Sequence, residues 1–253
     1  MRHSVFFLLI LFSLCFEAKA QRLVFWNVEN LFDCRHDTLK DDRDFLPEGS
    51  YHWTKRRYWQ KLDDLSRTIA AIAGEDKWPM AVGLCEVEND SVLRDLTRRS
   101  PLRMARYAYI HEESPDVRGI DVALLYDSLQ FRPTGHEAVR IPSAEHGFRP
   151  TRDILYVRGE TTLRDTLSVF VVHAPSQFGG ERHSRPFRQQ VISRLLKSVK
   201  ALNQTDKVIV CGDFNEEADG RTVSQLSAAG LHNVSAGAKG RYGKALGTYR
   251  YQG

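Results

Sequence analysis

The sequence predicts an α/β domain in which two packed sheets carry helices on their outer faces. Three patterns lead there. Apolar runs of strand length alternate with segments of helical period near both ends of the chain. Four strand-like runs follow one another in the middle. No repeat, low-complexity tract or Pro/Gly/Ser linker divides the 253 residues. Alternation alone would suit a parallel sheet, whereas consecutive strands call for antiparallel pairs, so two mixed sheets fit best. The length suits a single domain.

The chain opens with Arg2 and His3, an apolar stretch over 5–16, and Ala18-Lys19-Ala20 before Gln21. A basic start, a short apolar middle and a small-x-small end read as a signal peptide over residues 1–20, too short to span a bilayer comfortably. Cys15 makes a poor lipid-attachment site, because Leu14 stands before it where a small residue is expected. The mature protein, residues 21–253, is therefore expected to be secreted or periplasmic, without integral membrane association, and monomeric. Losing Arg2, Glu17 and Lys19 lowers the net charge from +4 to +3. With a pI near 8.9, this is a mild bias toward anionic partners such as nucleic acid. Cys34, Cys85 and Cys211 then remain, an odd number with two members inside strand-like runs, and free thiols are expected.

Strands are expected over 22–27, 80–86, 105–111, 119–127, 151–159, 166–173 and 207–213. Helices are expected over 54–74, 88–99, 185–202 and 221–229. In the first helix Leu62, Leu65, Ile69 and Ile72 keep the helical period while Lys61, Asp63, Asp64 and Arg67 face water. In the third, Phe187, Val191, Leu195, Val199 and Leu202 form the stripe, with Ser184 and Pro186 as start signals. The stretch 33–51, rich in Asp, Arg and Gly, reads as a long loop covering the strand ends.

Those strand ends carry the chemistry. Val208-Ile209-Val210-Cys211 is a buried-strand run that stops at Gly212 and then offers Asp213 and Asn215, two positions apart and so on one side. The run 23–26 leads likewise into Asn27 and Glu29, and 81–85 into Glu86 and Glu88. A fourth run, 167–172, ends on His173. Brought side by side, these ends would form an acidic pocket holding a divalent metal against a phosphate. Mg²⁺ takes one or two protein carboxylates and leaves its other positions to water and phosphate. Glu86 is the first choice of ligand, with Asn27 or Glu29 second; alone, Glu86 is as readily a solvated strand-end carboxylate. Asp213 and Asn215 would aim a water at phosphorus, although a bare Asp-x-Asn is usually only a turn. His173 would protonate the leaving oxygen or stabilise phosphoryl charge, and Asp121 could orient it. Arg152, which begins the next strand, reads equally as a phosphate contact and as a surface cation, and an ordinary strand-start carboxylate explains Asp121 nearly as well. No Gly-x-Ser-x-Gly, P-loop, Cys-x-x-Cys or His-Glu-x-x-His pattern appears, so metal-activated water is the expected nucleophile.

Taken together, Phe25-Trp26-Asn27-Val28-Glu29-Asn30, Leu84-Cys85-Glu86-Val87, Val171-Val172-His173-Ala174-Pro175-Ser176 and Cys211-Gly212-Asp213-Phe214-Asn215 resemble, in order, the motifs of the endonuclease/exonuclease/phosphatase superfamily, the deoxyribonuclease-I-like hydrolases. The resemblance implies a four-layered α/β/β/α sandwich and Mg²⁺- or Mn²⁺-dependent cleavage of a phosphate ester. It implies Glu86 as metal ligand, Asn27, Asp213 and Asn215 around the phosphate, and His173 as acid or phosphate donor. Asp121 is then the carboxylate paired with that histidine, and Arg152 a phosphate-side arginine. Members of the family end in a strand with an Asp-His pair whose histidine activates the attacking water. Here Gly247-Thr248-Tyr249-Arg250-Tyr251-Gln252-Gly253 reaches only the approach to such a strand, so a domain truncated at its C-terminus is expected, or else one without its general base.

Three functions compete. The first is an exported nuclease, to which Lys55-Arg56-Arg57 would offer charge for phosphate backbones, unless that run is only the solvated first turn of a helix. The second is a phosphatase or phosphodiesterase on inositol phosphates or phospholipid headgroups, with Tyr51, Trp53, Tyr58 and Trp59 as a membrane-entering loop; Trp59, spaced helically from Leu62, fits the core better. The third is a secreted binding protein that kept the fold and lost catalysis. Fold similarity alone does not choose a substrate.

Overall fold

The computed structural model describes residues 21–74, 78–142, 149–217, 219–235 and 237. The expected signal segment 1–20 and the expected approach to a last strand at 247–253 lie outside the described residues. Among those described, eight strands form two four-stranded sheets. The first sheet holds β1 (Leu23–Leu31), β2 (Ala81–Val87), β3 (Ala108–His111) and β4 (Asp121–Tyr126), in the order β1-β2-β4-β3. The second runs β5 (Phe131–Val139), β6 (Ile154–Thr161), β7 (Thr166–His173) and β8 (Lys207–Asp213) in sequence order. Each sheet is mixed: β1–β2 and β7–β8 pair in parallel, the other neighbours antiparallel.

Alternation along the strands sorts the core into layers. On β2, Val82 and Leu84 pack under helix α1 (Lys55–Ala73) with Leu62, Leu65 and Ile69. Ala81 and Cys85 face the other way, into an inter-sheet core with Phe131, Leu155, Val157, Val169 and Val171. Buried on both faces, β2 reads as a continuous apolar run rather than an alternating one. Outside the second sheet, Phe170 and Val172 meet Val191, Ile192 and Leu195 of α3 (Glu181–Lys200) and Leu226 of α4 (Ser224–Ala228). Four layers result, helix on sheet on sheet on helix.

Helix α1 starts where Thr54 caps it, its side chain accepting from the Arg57 amide, and it matches the expected span within a residue at each end. Four local expectations change. Strand β5 was not foreseen, because Pro133 and Gly135 argue against a strand; as an edge strand β5 tolerates both, and its register shifts between them. The expected helix 88–99 is a short α2 (Asp90–Arg94), capped by Asn89, running into a π-turn over Asp95–Arg99. Helix α3 begins at Glu181, so Pro186 lies inside it rather than at its start. Ile72 is 40% exposed, and Ala73 takes the buried position instead.

Two glycines are set by close approach. A Cβ on Gly83 would lie 3.0 Å from Cys211 Sγ of the opposite sheet, and one on Gly212 only 2.3 Å from the Val172 carbonyl oxygen of β7. Gly212→Ala is therefore expected to destabilise the fold by about 1–3 kcal/mol, read as a lower urea midpoint.

Candidate active site

The parallel pairs of both sheets end on the same edge, and their last residues meet. From β1, the Asn27 amide nitrogen donates to Asp213 Oδ2 of β8 at 2.9 Å and reaches Glu86 Oε1 of β2 at 3.4 Å. One carboxamide therefore bridges two carboxylates drawn from different sheets. Its oxygen accepts from the Glu29 amide. Asp213 sits opposite His173 in the β7–β8 register, and its other oxygen accepts from the Asn215 amide at 2.9 Å. Asn215 in turn donates its side-chain amide to the Ala174 carbonyl at 2.9 Å, which ties the turn after β8 to the end of β7.

The backbone is irregular at these tips. Glu29, Asn30, Glu86 and Asn215 all have left-handed φ, between 49° and 65°, a conformation costing about 1–2 kcal/mol for a residue with a side chain. Register shifts accompany it in β1 after Asn27 and in β2 between Cys85 and Val87. Such bulges re-aim side chains at strand ends. They also undo the simple alternation. Glu88, expected beside Glu86, turns away, is buried, and accepts from the Asp33 amide. Burial is the main cause that pushes its carboxyl up to about 8, with Asp33, Asp42 and Asp37 adding to it. Glu29 is exposed, and no contact among the described residues joins its carboxylate to Glu86 or Asp213.

His173 is buried, and its Nε2 lies 3.1 Å from Arg152 Nη2 and 3.6 Å from Glu86 Oε1. Burial first, then Arg152 and Arg118, holds its pKa well below the ordinary value, so the ring is neutral near pH 7. An imidazole that accepts from Arg152 at Nε2 carries its proton on Nδ1, and that atom is buried without a partner among the described residues. Arg152 is itself held by Asp116, Nη1 to Oδ2 at 3.1 Å with both side chains at least nine-tenths buried.

Asp121 does not pair with His173. Its Oδ1 accepts from the Ser114 amide and its Oδ2 lies 3.5 Å from His111 Nε2. The carboxylate behind the site histidine is Asp116, acting through Arg152. Sequence reasoning missed it because Pro115-Asp116-Val117-Arg118-Gly119 reads as a turn, and the Asp116 side chain does accept from the Arg118 amide two residues on. The stretch 33–51 reaches that same turn: the Asp41 amide bonds the Val117 carbonyl, and Lys40 Nζ bonds the carbonyls of Ser114 and Asp116.

The donors suit a hard divalent cation. Glu86 and Asp213 supply two carboxylates held close by one amide, and neighbouring His173 is uncharged, which matches the one or two carboxylates that Mg²⁺ takes. Metal-capable atoms of Cys85, His173 and Asp213 lie within 4.8 Å of one another. Among the described residues Cys34, Cys85 and Cys211 are free thiols, as expected, and burial pushes the Cys85 thiol up, which disfavours its thiolate form.

A proton bound by Glu88 in the folded state but lost by an unfolded carboxyl near 4.5 makes stability fall as pH rises from about 4.5 to about 8. The slope is at most about 1.4 kcal/mol per pH unit. Glu88→Gln should flatten that decline in urea titrations at pH 5, 6.5 and 8.

The fold is shared with proteins of known structure. The human Nocturnin catalytic domain with bound sulfate anion superposes with a TM-score of 0.55 at 20% identity, covering 83% of this chain and 70% of that one. TDP2 from D. rerio complexed with single strand DNA product gives 0.53 at 16%, covering 85% and 66%. An endonuclease/exonuclease/phosphatase family protein from Bacteroides thetaiotaomicron gives 0.57 at 14%, covering 83% and 69%. No curated protein matches this chain. The family model for the endonuclease/exonuclease/phosphatase family matches residues 22–253; with its two mixed sheets and converging strand tips, the chain belongs to that family of phosphoester hydrolases.

Proposed function

We propose that the protein is an exported phosphodiesterase, acting on nucleic acid with Mg²⁺ or Mn²⁺. The observation that carries this reading is the meeting of Asn27, Glu86, His173 and Asp213 on one edge, with Arg152 against His173. Glu86 and Asp213 would hold the cation. When bound, it would lower the pKa of a water and offset negative charge on the phosphoryl oxygens.

The chain's own residues supply the rest. Asn27 keeps the two carboxylates together against their mutual repulsion. Asp213, fixed by Asn27 and by the Asn215 amide, orients the attacking water and can accept its proton. Arg152 provides the fixed positive charge for a non-bridging oxygen, aimed by Asp116 on one side and His173 on the other. His173 is thereby a neutral positioning group, a narrower part than the acid suggested by its strand.

A cavity of about 780 Å³ beside Asn27 supports a polymeric substrate: Trp26, Trp53, Arg56, Arg57 and Lys61 line it together with Glu29 and Asp64. Indole faces and cations are what a nucleic-acid strand uses. Trp53 lines the cavity from a fixed position, packed edge-on against Phe45 with its indole N–H donating to the Phe32 carbonyl. Export rests on the apolar stretch before Gln21, and the secreted protein should begin near that residue on N-terminal sequencing.

Plasmid DNA, RNA, sphingomyelin and a phosphomonoester, each assayed with Mg²⁺ and with chelator, test the reading. Metal-dependent cleavage of nucleic acid is expected, and Glu86→Gln or Asp213→Asn should lower it by about 10²-fold or more with the melting temperature little changed. Turnover of lipid or monoester alone, or nuclease activity that survives both substitutions, would overturn it.

A further inference from the structure

A second group of metal-capable side chains lies apart from the β1, β2, β7 and β8 tips, at the loop end of the β3–β4 hairpin. His111 ends β3, Asp121 begins β4, and Glu113 lies two residues past His111 on the connection. Pairing in this hairpin sets His111 opposite Ala123. Asp121, two residues from Ala123, is then the diagonal neighbour of His111 on the same face. That face is the one turned to the helix layer, since Tyr109, Ala123 and Leu125 all pack in the core under α1. Glu112, one position out of phase, instead meets His136 of β5 at 2.9 Å.

One ligand atom from each of His111, Glu113 and Asp121 falls within 4.8 Å of the others. The second observation concerns what those atoms lack. The side chains of His111 and Asp121 are 6% and 1% exposed, and their facing atoms, Nε2 and Oδ2, sit 3.5 Å apart. Neither atom has a hydrogen-bond partner among the described residues. A buried polar atom left unpaired costs about 1–3 kcal/mol, and two such atoms aimed at each other and at a third carboxylate leave a place for one shared cation.

We propose that His111, Glu113 and Asp121 form a second cation site, for Zn²⁺ or a similar transition metal. An imidazole with two carboxylates is a mixed nitrogen–oxygen set, which suits Zn²⁺ and not Mg²⁺, whose ligands are oxygens. Three protein ligands leave the fourth position of a tetrahedral ion to water, on the side where Glu113 is exposed. The site has a structural consequence. Asp121 also accepts from the Ser114 amide, and from Ser114 the chain runs directly to Asp116, which holds Arg152. A cation here would clamp the segment that aims the arginine of the candidate active site. The proposal does not depend on the nature of the substrate or on turnover.

The test is Zn²⁺ binding by calorimetry on the full chain carrying Glu86→Gln and Asp213→Asn, so that the strand-tip site is disabled. One equivalent is expected. Adding Glu113→Gln should abolish it while leaving the metal-free melting temperature unchanged, because Glu113 is exposed; adding His111→Gln should do the same to binding. Zn²⁺ should also raise the melting temperature of the parent and not that of the Glu113→Gln protein. Zn²⁺ binding that persists undiminished with Glu113→Gln, or no binding by the parent, would overturn the proposal and leave His111 and Asp121 as a structural ion pair.

Discussion

The Asn27 carboxamide is the contact on which the candidate site turns. It lies between Glu86 of its own sheet and Asp213 of the opposite one, and so closes the sandwich where two like charges would otherwise push it open. Two carboxylates sharing one edge repel each other, and a single neutral amide offsets only part of that. On the proposed reading, a cation between them would offset the remainder.

Around that contact, the fold trades local backbone cost for aim. Left-handed residues at the ends of β1, β2 and β8 would be unfavourable in a free chain. At Glu86 the conformation persists because β2 is buried on both faces, with Val82, Leu84 and Cys85 behind it, while β8 is held by parallel pairing to the buried β7. Gly212 belongs to the same economy, since only a residue without Cβ lets β8 lie against the Val172 carbonyl. The rigid inter-sheet core thus sets the distances at its edge.

Much of this was legible in the sequence because burial and period leave a direct mark. The runs feeding Asn27, Glu86, His173 and Asp213 were visible as strands, and the stripe of α1 gave its span. What escaped has physical reasons. Strand β5 is an edge strand whose outward face is polar, so nothing in its pattern separates it from a loop. The bulge at Glu86 sends Glu88 to the Asp33 amide, and no alternation rule anticipates a bulge. Asp121 and Asp116 are both strand-flanking acids in one short stretch, and only the tertiary path of Arg152 shows which one stands behind His173.

The central claim is that Glu86 and Asp213, from different sheets, share one bound cation. Anomalous scattering from a crystal of the protein soaked in Mn²⁺ tests it most directly. A peak within coordination distance of both carboxylates is the expected result. Full Mn²⁺ occupancy elsewhere, with the space between Glu86 and Asp213 holding only water, would contradict the account.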